Sequence, residues 1–508
     1  MTEPTINSTM PAKSRPDRLG PPPKRHRVAS VRYYLQAGQA PFLLGAAVVL
    51  PRVTGLLTVP IYTRLLGPED FGRYELLTSV IALLYTTCIL GLDFAMSVRY
   101  FIHDEPQRRR DVASAVLAAA ASSLVATSLL GASAGLLGPL VLQSSNGGLP
   151  FAIVVAAVPF NVLGGVLGMY LRLRFRGLAF FGAIVGGAVA GTATGVILVV
   201  ACHWGLVGAT VGLSAMYVIT FFLLAFNVLG LLDLRAATRT TALRLIRLGA
   251  PLIPAGAASW AFALADRFFV AAFVGLTELG LYAAAARLAT ILAVVQFGFF
   301  AAWGPIALRW GTSVDRDRRY AASLRLVAIA GGAAVAAVSW LARPLLWLLA
   351  GPAYVGASDV VWLLASGVLF SAMFFVVQIG ANLAQRGDRI AWATIIAATV
   401  NTAANFVLIP PLGYLGAGAA TLVAYAVAYV MMYRLSQNVT PIAMRSGRAT
   451  SWAVGWTVVA ASSVAAPQNV RALATIVVVA AALVAGLAVV AKTTAAVETA
   501  SAVAERDA

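Results

Sequence analysis

Charge is scarce in this chain. Asp, Glu, Lys and Arg make up only 11% of 508 residues, hydrophobic residues make up 60%, and the mean hydropathy is +0.86. Soluble domains carry roughly a quarter charged residues, so an ordinary soluble domain is excluded. Cysteine is almost missing. Cys88 and Cys202 lie in or at the end of different apolar runs, with no CxxC or Cys/His spacing, so neither a disulfide framework nor a metal site is indicated. No paired carboxylates, Ser/His/Asp set or phosphate-cradling Gly loop stands out, and no cofactor is implied. Long hydrophilic loops are lacking as well. The longest on the expected outer side run from about Leu136 to Gly148 and from Leu346 to Asp359, too short for a catalytic domain.

What is present is apolar runs of membrane-crossing length, roughly 20 residues each. They predict an all-α polytopic membrane protein with about 14 transmembrane helices. The first six span Phe42 to Tyr62, Tyr74 to Ala95, Val112 to Ala132, Leu149 to Leu171, Phe180 to Ala201 and Leu206 to Asn227. The second six span Ala250 to Phe273, Leu279 to Trp303, Leu326 to Leu345, Val361 to Asn382, Ile390 to Ile409 and Leu415 to Met432. Two more follow, Ala449 to Ala466 and Ala472 to Val490. The first run follows Lys24-Arg25-His26-Arg27 but exceeds a signal-peptide core, so it is expected to stay as an uncleaved span.

The layout occurs twice. Gly67, Gly72 and Tyr74 recur 208 positions on as Gly275, Gly280 and Tyr282, and Gly205, Gly208 and Ala209 recur as Gly413, Gly416 and Ala417. Gly177, Thr192 and Ala193 recur at 210 as Gly387, Thr402 and Ala403, as a two-residue indel would produce. The expected organisation is a basic cytoplasmic tail (1–38), an N-terminal six-helix lobe (39–230), a C-terminal six-helix lobe (231–435), an extra helix pair (436–491) and a trailing cytoplasmic tail (492–508). Two similar membrane bundles commonly hold a substrate path between them and work by rocking, so transport is the leading expectation.

The net charge of +18 is mostly topological. With the amino terminus placed in the cytoplasm, 30 of the 37 Lys and Arg residues fall in inward loops and tails. Only Arg64, Arg73, Arg343 and Arg471 fall outside. This asymmetry follows the positive-inside rule and places both termini in the cytoplasm; nucleic acid is not an expected partner. The segment from Leu231 to Arg247 carries Arg235, Arg239, Arg244 and Arg247 at spacings near four, as in an amphipathic helix on the inner membrane surface.

Ionisable groups inside spans are costly and usually face a cavity or a partner. Arg52 sits near the middle of the first span beside Pro51 and is expected to face the central cavity, with a structural ion pair as its alternative. Asp266 and Arg267 are adjacent in the seventh span and Arg287 lies on the eighth. Neighbours on a helix point about 100° apart, so Asp266 and Arg267 are not expected to share a face. The bland alternative is an Asp266–Arg287 bridge across the hairpin. Three converging arginines against one acid would favour an anion such as phosphate or pyrophosphate. Asp93, like Asp266, is a candidate for ion coupling, with pairing to Arg99 as its alternative. Asn161, Gln296, Gln378, Asn401 and Asn405 are candidates to line a glycan path or to join helices. Pro159, Pro251 and Pro254 are candidate kinks. Glu69-Asp70 is the best candidate for an acid of a membrane glycosyltransferase, yet the repeat places Thr277-Glu278 in the same Gly-x4-Gly turn, so the pair reads as architecture.

The segment PRVTGLLTVPIYTRLLGPEDFGRY, from Pro51 to Tyr74, resembles the opening helix and turn of oligosaccharide flippases, the Wzx-like polysaccharide transporters of the multidrug/oligosaccharidyl-lipid/polysaccharide exporter (MOP) superfamily. Gly249-Ala250-Pro251-Leu252-Ile253-Pro254, Ala265-Asp266-Arg267-Phe268 and Gly280-Leu281-Tyr282 are similar to that family's seventh helix and following turn. The likeness covers most of the first twelve spans. It implies two lobes around a cationic cavity that moves a polyprenyl-diphosphate-linked glycan across the bacterial cytoplasmic membrane, with Arg52 and Asp266-Arg267 as the family's charged positions. Implied partners are that glycan, membrane lipids and a polysaccharide polymerase or glycosyltransferases, with the chain acting as a monomer. The helix pair after Met432 departs from many polysaccharide flippases and is found in lipid II flippases, which keeps lipid II as a second candidate substrate. A drug/cation antiporter and an envelope-assembly scaffold compete with the flippase.

Overall fold

A computed structural model describes residues 59–467 and 471–485. Arg52, most of the first expected span and both tails lie outside the described residues. The first half consists of α1 (Val59–Cys88), α2 (Leu92–Tyr100), α3 (Glu105–Ala132), α4 (Ala134–Leu142), α5 (Gly148–Ala156), α6 (Val158–Leu173), α7 (Gly177–Val200) and α8 (Gly205–Val228). A short helix, α9 (Arg239–Gly249), links it to the second half. There follow α10 (Ile253–Leu264), α11 (Asp266–Phe273), α12 (Leu276–Trp310), α13 (Arg316–Leu326), α14 (Gly332–Trp340), α15 (Ala342–Leu349), α16 (Ser358–Val377), α17 (Ile379–Leu383), α18 (Gly387–Leu412) and α19 (Tyr414–Gln437). Last come α20 (Ser446–Ala465) and α21 (Arg471–Ala485).

Among the described residues, ten helical segments are long and apolar enough to cross a membrane, or eleven if α1 and α2, inclined at 46°, form one span. The thirteenth expected span is helical but too polar to count among them, and of the fourteenth only the stretch Arg471–Ala485 lies within the described residues. The proline signals mark real breaks. The fourth span divides at Ala157 between α5 and α6, with Pro159 in the first turn of α6. Pro251 lies in a 3-10 turn and Pro254 in the first turn of α10.

The loop expected between Tyr62 and Tyr74 is much shorter than the sequence suggests. Val59–Cys88 is helical throughout, and within it the left-handed backbone falls on Gly67, at φ 74°. Its repeat counterpart Gly275 has φ 119° between α11 and α12. Such left-handed backbone suits glycine, and Pro68 directly after Gly67 fits a helix start. Glu69 and Asp70 then occupy a first helical turn and pair with Arg73. The other long loops shrink likewise, because α4 covers Ala134–Leu142 and a 3-10 helix covers Pro352–Ala357.

The two halves share their packing logic. In the first, α7 lies on α8 more extensively than on any other helix, and in the second α18 and α19 do the same. Without a hydrophobic drive between helices in lipid, small residues let backbones approach. Gly187, Gly191 and Gly195 stack one turn apart on α7. A Cβ at Gly191 would lie 2.5 Å from Met216 Cα, and one at Gly195 3.2 Å from Gly212 Cα. In the second half α16 is the central, most buried helix, whereas no residue of α10 is buried.

The linker helix α9 starts on Thr238, whose hydroxyl accepts from Thr241 N at 3.3 Å. Thr241, Leu245 and Gly249 are buried and Arg239, Arg244 and Arg247 exposed, as the four-residue spacing predicts. Asp93 and Arg99 do not pair. Arg99 instead binds Asp111 at 3.1 and 3.2 Å, and His103 and Gln107 converge on the same carboxylate at 2.8 and 3.0 Å. The reason is helix geometry: Asp93 and Arg99 are six residues apart on α2, so their side chains point about 120° apart, and Arg99 faces the start of α3. Asp93, half-exposed on the first turn of α2, makes no ion pair among the described residues.

Candidate functional site

The halves meet along two lines. One is a seam in which α1 and the turn after it run antiparallel to the end of α9, α10 and α11. From one end to the other the contacts pair Gly91 with Gly249, Thr86 with Gly256, Ser79 with Trp260 and Glu75 with Arg267. A Cβ at Gly91 would lie 2.5 Å from the Gly249 carbonyl oxygen, and Trp260 Nε1 donates to Ser79 O at 3.0 Å. The second line is a crossing of α1 with α12. A Cβ at Gly72 would run into the Leu276 carbonyl oxygen, and a Cβ at Gly280 into that of Pro68. Further links at this end are Tyr354 OH to Thr63 O at 3.2 Å and Gln143 Nε2 to Ala271 O at 2.9 Å.

A charged cluster sits where the two lines converge. Glu75 on α1 is only 2% exposed and uses both carboxylate oxygens across the boundary. Its Oε1 accepts from Arg287 Nη2 on α12, and its Oε2 accepts from Arg267 Nε on α11 at 3.4 Å. Arg267 also donates to Asp266 Oδ1 through its backbone N at 2.9 Å and its Nη1 at 3.1 Å, and to Ala263 O at 3.2 Å. Buried Tyr282 donates its hydroxyl to Asp266 Oδ2. Every charged group here is therefore paired, as burial in low dielectric demands.

Three expectations are corrected by this geometry. The Asp266–Arg287 bridge is not formed, because Glu75 takes Arg287. Asp266 and Arg267 do interact despite being neighbours. The helix is interrupted at Ala265, so Asp266 opens α11 and its carboxylate can fold back on the next backbone N–H. Finally, the described cluster holds two acids and two arginines, not one acid against a cationic surplus.

Glu75 escaped the reading of the sequence. It is the second residue of the expected span Tyr74 to Ala95, at the edge of what looks like a polar turn and so not weighed as an intramembrane charge, whereas the turn actually closes at Gly67. The available signal was arithmetic: two arginines buried in later spans need more than one counter-charge.

The neutral candidates lie elsewhere. Asn161 lines a cavity of about 290 Å³ inside the first half, with Tyr85, Gly165, Arg172, Tyr217 and Thr220. Gln296 Nε2 donates to Ser371 Oγ at 3.4 Å, joining α12 to α16. Asn405 donates to Asn401 Oδ1 at 3.1 Å along α18, both side chains fully buried, with Asn401 Nδ2 and Asn405 Oδ1 left without partners among the described residues. Gln378 stands between α16 and α17. None of these joins the Glu75–Arg267–Arg287 cluster through a hydrogen bond. The described structure thus brings together Asp266, Arg267 and Arg287 and separates them from the amides.

The pattern of the polysaccharide biosynthesis protein family matches residues 38–309, more than half of the chain and all of this cluster. The chain belongs to that family. No curated protein matches it. Among solved structures, the lipid II flippase MurJ in an inward closed conformation is similar at 14% identity and TM-score 0.68, over 87% of this chain and 98% of that one. A multidrug resistance MATE family transporter of the MOP superfamily, in its inward-facing conformation, follows at 15% identity and TM-score 0.65, over 80% and 99%. A MOP superfamily transporter from Pyrococcus furiosus is similar at 16% identity and TM-score 0.59, over 81% and 96%. The family member thus has the MOP transporter fold, and its many apolar helices make it a multi-pass membrane protein.

Proposed function

We propose that this member of the polysaccharide biosynthesis family is a flippase that carries a polyprenyl-diphosphate-linked oligosaccharide from the inner to the outer leaflet of the bacterial cytoplasmic membrane. The observation that carries the reading is the position of Arg267 and Arg287. Both stand at the boundary between the halves, Arg267 on α11 and Arg287 on α12, where a group passing between the lobes has to go. Guanidinium groups suit phosphate, and side-chain exposures of 14% and 28% leave neither arginine fully enclosed.

In this reading the basic loops, including α9, face the cytoplasm and the Gly67 and Gly275 turns face outward. The crossing at Gly72 and Gly280 then closes the outer side. The diphosphate enters from the inner leaflet, the lipid tail stays in the bilayer, and rocking of the halves opens the outer side. Asp266 is tied to Arg267 and Tyr282, which counts against its serving as the free acid of a drug/cation antiporter.

The test is to deplete the protein and follow lipid-linked oligosaccharide by mass spectrometry, with rescue by wild type, Arg267→Ala or Arg52→Ala. Accumulation on the inner leaflet that only wild type relieves supports the flippase. Unchanged lipid-linked glycans and unchanged surface polysaccharide on depletion overturn it. Accumulation of lipid II instead would move the substrate to the peptidoglycan precursor.

A further inference from the structure

Glu75 has no task in the capture of a phosphate, yet it is the most deeply placed charge of the cluster. Among the described residues it is the sole side chain of the first half that binds both arginines, and it does so with one oxygen each. Those two contacts are also the only ion pairs between the halves among the described residues. Building on the flippase reading above, we propose that Glu75 is a resident counter-ion whose place on Arg267 and Arg287 is taken by the phosphates of the cargo, and that this exchange unlocks the first half from the second.

The chemistry supports an exchange over simple addition. A guanidinium presents five N–H donors. Arg287 spends one on Glu75, and Arg267 spends its Nε there and its Nη1 on Asp266 and Ala263 O. Donors therefore remain through which a phosphate can make its first contact. A diphosphate offers more charge and more acceptor oxygens than one carboxylate, and pairs with arginine through two parallel bonds. Once it is seated, a nearby buried carboxylate is repelled, and Glu75 must move away with α1. Asp266 stays behind as the positioning residue, since its bonds to Arg267 and Tyr282 lie wholly within the second half.

An empty transporter with Glu75 in place is closed, and one with cargo is released. This gives cargo a differential affinity for the open state, which any ligand-driven change requires. It also makes the arginine pair selective: a weak monoanion competes poorly with a carboxylate already held in place.

The experiment uses the full-length chain in lipid nanodiscs with farnesyl diphosphate as the probe. Spin labels at Leu65→Cys and Thr277→Cys, both exposed and beside the Gly67 and Gly275 turns, report the distance between the halves in a Cys88→Ser/Cys202→Ser background. In otherwise wild-type chain, farnesyl diphosphate should lengthen that distance and farnesol should not. Glu75→Gln should be long without ligand and bind farnesyl diphosphate about tenfold more tightly, the equivalent of one charge-assisted contact. Glu75→Asp, which keeps the charge on a shorter arm, should fall between, and it carries the test if the amide variant does not fold.

Normal binding by wild type with distance and affinity unchanged in both Glu75 variants overturns the exchange and leaves the flippase reading standing. Failure of farnesyl diphosphate to bind wild type or either variant overturns the diphosphate reading itself, and the exchange with it.

Discussion

Gly72 and Gly280 occupy the same place in the two repeats and meet across the boundary between them. Gly72 lies against the carbonyl of Leu276, and Gly280 against that of Pro68, itself the repeat equivalent of Leu276. Gly280→Ala therefore places a methyl group against backbone, which has no rotamer to yield. Overpacking of this kind costs about 1–3 kcal/mol, and the simplest relief is separation of the halves. Expected is a protein that folds but rests with the Leu65 and Thr277 labels further apart than in wild type. A short wild-type distance in Gly280→Ala would show that the crossing tolerates bulk.

Removing Arg267 leaves Glu75 with one partner and Asp266 short of one. Arg267→Ala should destabilise the detergent-solubilised protein by about 3–5 kcal/mol, the usual cost of breaking a buried pair from one side. Arg287→Ala should cost less, because Arg287 is more exposed and among the described residues binds Glu75 alone. A double-mutant cycle of Arg267→Ala with Glu75→Ala should show coupling of roughly 1–3 kcal/mol in thermal unfolding. Additive losses would mean that the ion pair is not formed.

Asp111, although outside the site, holds Arg99, His103 and Gln107 at once. Asp111→Ala should cost about 2–4 kcal/mol, as expected when several bonds to one buried charge are lost. Asp93→Ala should stay within about 0.5 kcal/mol, since it breaks no ion pair. Comparable losses for both, read from thermal unfolding, would restore the Asp93–Arg99 pairing that the sequence suggests.

Two glycines of α7 should behave in opposite ways. Gly191→Leu drives a side chain into the backbone of Met216 and should prevent α7 from seating on α8, with loss of the monodisperse peak in gel filtration. Gly182→Ala meets nothing within 4 Å and should be neutral or gain up to about 1 kcal/mol from helix propensity. A neutral Gly191→Leu would argue against the close α7–α8 packing.

Local signals carried much of this architecture. Apolar run length found the helices, the 208-residue offset paired the Gly67 turn with the Gly275 turn, Pro159 and Pro251 marked breaks, and the arginine spacing found α9. Two things were hidden. The length of the Gly67 turn depends on a single backbone angle, and an apparent polar loop of eleven residues is largely helix. Glu75 depends on partners 192 and 212 residues away, a pairing that follows from how two bundles dock and leaves no local trace. Arg267 and Arg287 were legible because a charge in an apolar run is conspicuous; their common partner sat where a polar residue looked ordinary.

The reciprocal contact of Gly72 with Leu276 and Gly280 with Pro68 has the form of an isologous interface, the kind made by two identical subunits about a twofold axis. Each half presents the same patch and receives its own image. Two chains separated within the linker, between Leu234 and Arg239, would each carry one copy of that patch, and the contact would become a heterodimer interface built on a homodimer's plan. The asymmetric element superimposed on it is Glu75, whose repeat position is Ala283. A closed outer face can thus be produced by symmetry alone, while control over when it opens belongs to one half.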